Sequence, residues 1–65
     1  MEKILNTMVN NFRMELDNDY ATGKITEGTY DELKFAINEM VENTEDKLVA
    51  IKILQSFKTA YIIMK

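Results

Sequence analysis

Apolar residues recur along this chain at steps of three and four, the spacing that an α-helix of about 3.6 residues per turn stacks onto one face. In the first run Ile4, Leu5, Met8, Val9, Phe12, Leu16 and Tyr20 share a side. Asn6, Asn10, Asn11, Arg13, Glu15 and Asp17 fill the outer side, and Met14 lies opposite the apolar face, exposed. In the second run Tyr30, Leu33, Ile37, Met40 and Val41 face inward while Phe35 points away. In the third, Ala50, Ile53, Leu54, Phe57, Ala60, Tyr61 and Met64 fall on one arc. The pattern predicts helices over about 2–20, 27–42 and 44–64, in a single all-α domain covering residues 1–65. The expected architecture is a small three-helix bundle, with helix 3 available for pairing with a second copy.

The punctuation agrees with these bounds. Gly23 is the natural left-handed residue after a helix, and Ile25 can fold back as the hydrophobic contact beyond it. Thr26 and Thr29 can each cap helix 2, and Thr29 with Glu32 three residues on forms a capping box. Thr44 or Asn43 is the expected cap of helix 3, with Glu45 and Asp46 in its first turn.

Helix 3 is apolar on more of its circumference than a three-helix monomer covers. Leu48, Ile51, Gln55 and Ile62 form a second row nearly opposite its first arc, and Val49 and Ile63 widen it. Lys47, Lys52 and Lys58 frame this row. Apolar anchors with a charged rim are how an amphipathic helix meets a protein partner. The candidate partner-binding residues are therefore Leu48, Ile51, Lys52, Gln55, Lys58 and Ile62, joined by the outward Phe35 and Met14.

Composition narrows the chemistry. The chain has no Cys and no His, which removes disulfides, thiol or imidazole catalysis, and metal sites built on those ligands. Ser56 is the sole serine and has no histidine to activate it. The pairs Asp31/Glu32 and Glu45/Asp46 are adjacent and so diverge on a helix instead of converging on a substrate. No Gly-rich phosphate loop occurs. The reading is a non-enzymatic protein with no catalytic residues, cofactor or metal.

Calcium is the one metal with an imitation of its site. Aligning Gly23 with the obligatory glycine of an EF-hand loop places Asn18, Tyr20 and Thr22 at the first ligand positions and Thr29 where a bidentate Glu is required. A helix C-cap followed by an N-cap explains the same residues. Gly23-Lys24-Ile25-Thr26 and the following Tyr30-Asp31-Glu32-Leu33-Lys34 resemble the short helical hairpins called SHOCT domains over Leu16 to Met40. That resemblance is one of helix–Gly–cap–helix grammar and implies no catalytic residues.

Charge is distributed unevenly. Residues 1–46 hold all 11 acids and four bases, a net −7, whereas residues 47–65 hold four lysines and no acid, a net +4. With one Arg, no basic run, and Glu39, Glu42 and Glu45 on the candidate recognition helices, direct nucleic-acid binding is disfavoured. The outer acids Glu2, Glu15, Asp17, Asp31, Glu39 and Glu42 suit an alternative role, an acidic mimic that occupies a DNA-binding protein. A further alternative is membrane-surface association through helix 3, against which its lysines do not segregate onto one face. The longest apolar run, Tyr61 to Met64, is far below a bilayer span. A cytoplasmic setting fits the lack of Cys.

The expected function is thus protein–protein interaction, with a protein partner or a homodimer, as an adaptor, inhibitor or antirepressor-type regulator. The brevity and the Asn-, Lys- and Ile-rich usage suit a phage or mobile-element accessory protein.

Overall fold

A computed structural model describes residues 2–64. It contains three helices, α1 (Glu2–Ala21), α2 (Glu27–Asn43) and α3 (Lys47–Met64), and no strand among the described residues. They form an elongated bundle with extents of 34 × 18 × 17 Å. All three pairs of helices touch; α3 packs most on α1, and α2 and α3 touch least.

The core is one cluster drawn from all three helices. Leu5, Val9, Phe12 and Leu16 come from α1, Ile37 and Met40 from α2, and Ala50, Leu54 and Tyr61 from α3. Phe12 and Tyr61 meet at 5.7 Å between ring centroids, tilted by 56°, within the range favoured by aromatic pairs. Met8, Ile25, Tyr30, Leu33, Val41, Ile51, Ile53 and Phe57 are half-buried and pack against this cluster.

The first linker closes as the pattern predicts. Gly23 is left-handed, with φ of 77°. The Gly23 N–H donates to the Tyr20 carbonyl at 3.1 Å and the Lys24 N–H to the Asp19 carbonyl at 2.8 Å, the pair of bonds that defines a Schellman ending. Ile25 folds back onto the core. Asn18 and Tyr20, aligned above with calcium-ligand positions, lie inside α1.

The start of α2 agrees with expectation and that of α3 differs. Of the two threonines able to cap α2, Thr26 does so: its Oγ1 accepts the Thr29 N–H at 3.2 Å. The Thr29–Glu32 capping box is therefore not formed as a cap, and Gly28 sits within the first turn. Helix 3 begins at Lys47 instead of 44, because Asp46 caps it, accepting the Leu48 N–H at 2.9 Å and the Val49 N–H at 3.4 Å. Thr44 has another task, ending α2 with its own N–H on the Met40 carbonyl at 3.1 Å. An ionised carboxylate facing a helix N-terminus gains from both the hydrogen bonds and the dipole.

Core membership needs correction at the helix ends. Leu5, Val9, Phe12, Leu16 and Asp19 form the buried row of α1, so an acid takes the place expected of Tyr20. Tyr20 and Ile4 are exposed, as are Ala60 and Met64 on α3. Asp19 is 2% exposed. The Tyr61 hydroxyl donates to its Oδ2, and a hydrogen-bonding partner is what a buried carboxyl requires.

Candidate functional site

The eight candidate residues do not gather into one patch. Met14 is on the back of α1 and 68% exposed. Phe35, on the back of α2, is 65% exposed. On α3, Leu48, Lys52, Gln55 and Ile62 are exposed. Ile51 is half-buried against the core, and Lys58 is half-buried. The outer row of three branched residues is thereby reduced to Leu48 and Ile62, which stand 14 residues, or about 21 Å, apart along the helix. Lys52, Gln55 and Thr59 lie between them, so this row is apolar at its ends and polar at its centre.

A more continuous apolar surface lies elsewhere, along the seam between α2 and α3. A depression of about 320 Å³ is lined by Thr29, Glu32, Leu33, Ala36, Phe57 and Met64. A second, of about 270 Å³, is lined by Gly23, Lys24, Ile25, Thr26, Thr29 and Met64. The two share Thr29 and Met64 and so lie next to each other, one at the first linker and one along the seam. The origin of the seam depression is a mismatch of sizes. Phe57 and Met64 of α3 line it with Ala36 and Thr29 of α2, whose short side chains leave the space open.

Helical geometry extends the groove on both sides. On α2, Glu32, Phe35, Glu39 and Glu42 follow one another at steps of three and four, so one row carries a Phe among three acids. On α3, Val49, Ile53, Ala60 and Ile63 continue a row beside Phe57. Val49 and Ile63 are 44% and 80% exposed. The groove was hidden from the sequence because Leu33, Phe57 and Met64 read simply as core. The small residues Thr29 and Ala36 on α2 were the available signal.

The opposite seam, between α1 and α2, is closed by polar and aromatic contacts. Arg13, expected on the outer side, is half-buried and donates from Nη2 to Asn38 Oδ1. The Tyr30 hydroxyl donates to Asp17 Oδ1 and accepts from Lys34 Nζ at 3.0 Å. Tyr20 stacks on Tyr30 with centroids 4.6 Å apart. Lys34 Nζ also lies 3.9 Å from Asp17 and 4.8 Å from the centre of the Tyr30 ring. The hydrogen bond to Tyr30 is the main cause that raises the Lys34 ammonium above its ordinary value of 10.5.

Among the described residues, no group of three or more carboxylates is placed to hold a metal ion, and no helix is long and apolar enough to cross a membrane. No protein-family model, curated protein or solved structure matches this chain.

Proposed function

We propose that this chain is a small non-enzymatic binding protein of the cytoplasm, acting as an adaptor, inhibitor or regulator through protein–protein contact. The observation that carries the reading is the open depression between α2 and α3, lined by Leu33, Ala36, Phe57 and Met64, on two helices that also leave Phe35, Val49 and Ile63 exposed. An unfilled apolar depression beside exposed large hydrophobic side chains offers a seat for a partner's side chains. Ser56, the only hydroxyl nucleophile of its type, spends its Oγ on the Lys52 carbonyl at 3.2 Å, which suits a helical role and not a catalytic one.

Acidic mimicry is the second reading, favoured by the exposed Asp31, Glu39 and Glu42 of α2. Phe35 in their midst argues for a mixed apolar and electrostatic contact instead of a pure phosphate imitation.

A photo-crosslinking amino acid placed at Phe35 or Ile63 tests the contact reading in cells. A discrete adduct is expected there and not at Asn10 on the polar side of α1. Equal, diffuse labelling at all three positions would remove the support for a defined binding surface.

A further inference from the structure

We infer that the α2–α3 face is a self-association surface, on which two copies pair about a twofold axis running along the helices, α2 of each lying across α3 of the other. This inference rests on the protein–protein reading above and names its occupant, a second copy.

Charge decides which helices face each other. Glu32 lines the groove on α2 and Glu39 and Glu42 continue its row at helical steps, whereas α3 has Lys52 on its outer side and no acid anywhere between Lys47 and Met64. A twofold axis perpendicular to the helices would set α2 on α2, with these acids opposed at close range, and like charges in an interface are unfavourable. An axis along the helices sets the acidic rim on the helix that holds only lysines.

The register follows from the groove. Phe57 lines the same depression as Leu33 and Ala36, and α2 and α3 are consecutive helices joined by the short link Thr44–Asp46, hence antiparallel. Counting equal steps back along α3 and forward along α2 brings Lys52 to the level of Glu39. A twofold axis along the helices preserves level, so Glu39 meets the partner's Lys52. At the same reckoning Phe35 falls between the partner's Ile53 and Ala60, and each contact occurs twice. Phe35 thus gains an apolar seat among side chains that are half-buried or exposed in the single copy. The small Ala36 leaves the backbones room to approach.

The arrangement has a direct test in solution. Light scattering on the full chain should give twice the 7.6 kDa chain mass at micromolar concentration. Phe35→Ala should weaken the dimer about a hundredfold, since both copies lose their anchor. Glu39→Lys and Lys52→Glu should each weaken it by about tenfold, because two facing pairs become like-charged. Mixing these two variants restores both pairs, so a heterodimer of near-native affinity is expected from two weakened parents. Circular dichroism should show all three variants fully helical, because Phe35, Glu39 and Lys52 are exposed.

A monomer at every concentration would overturn the inference, as would a dimer that Glu39→Lys and Lys52→Glu leave unchanged. A dimer broken only by Leu48→Asp and Ile62→Asp would move the pairing to the outer row of α3 and overturn it equally. The crosslinked adduct separates these failures from failure of the broader reading. An adduct from Phe35 to a different protein, with the chain itself monomeric, leaves a binding protein without self-association.

Discussion

Along the seam between α1 and α2, Arg13 reaches Asn38, Tyr30 reaches Asp17, and the Tyr20 ring lies on Tyr30. Along the seam between α2 and α3, Leu33, Ala36, Phe57 and Met64 line an open groove. Both seams join the same helix to a neighbour, yet one is finished and the other is not. Long polar side chains can bridge the outer edge of a helix pair and still face water with their charged ends. Short side chains such as Ala36 and Thr29 cannot cover a Phe and a Met from across the gap. The contrast teaches that α2 is held to the bundle mainly from its α1 side, and that its α3 side is where a further element fits.

The contrast can be broken most strongly at the core that both seams share. Phe12 is fully buried and touches Tyr61. Phe12→Ala is expected to cost about 3–5 kcal/mol, comparable with the whole stability of a domain this small. Urea titration followed by circular dichroism should find this variant largely unfolded without denaturant.

A smaller effect is expected at the polar tie between α1 and α3. Tyr61→Phe keeps the ring in the core and removes one hydrogen bond from the buried Asp19 carboxyl. The expected loss is about 1–3 kcal/mol, read as a lower urea midpoint at unchanged slope. An unchanged midpoint would show that the Tyr61 hydroxyl contributes nothing to the tie.

A substitution in the first turn of α2 should act in the opposite direction. Gly28 lies there with open space around its Cβ position. Gly28→Ala is expected to stabilise the fold by about 0.5–1 kcal/mol through backbone entropy. A lower melting temperature would mean that this turn is tighter than its open space indicates.

The smallest effect belongs to the closed seam. Because the Tyr30 hydrogen bond raises Lys34, the stabilisation it lends is full below the ordinary lysine value of 10.5 and is lost as pH rises through the higher folded value. Resonances of the Lys34 side chain should titrate above 10.5 in the native protein and fall back towards it in Tyr30→Leu. Since the Lys34–Asp17 pair is exposed to solvent, little change in overall stability should accompany this.

Much of the architecture was legible from residue spacing. The three helices, the turn at Gly23 and the outward positions of Met14 and Phe35 all follow from three-and-four periodicity and turn chemistry. What misled was residue type at helix ends. Tyr20 has an apolar ring and Asp19 has a charge, so hydrophobicity alone buries the first and exposes the second. The cap of α3 shifted to Asp46 because Thr44 was already engaged in ending α2. Ile51 sat one step too close to the buried arc to remain on the outer row.

By itself the sequence determined an all-α chain of three amphipathic segments, without the side chains for disulfides or for thiol and imidazole chemistry, and with its acids and lysines unequally shared. These properties are local: periodicity, capping and composition act within a few residues of where they are written. Only the tertiary structure decided which apolar residues lacked a cover. Whether Phe57 and Met64 are core or groove depends on the size of the residues opposite them, and those belong to another helix. The burial of Asp19 was decided the same way, by a hydroxyl arriving from Tyr61, 42 residues along the chain.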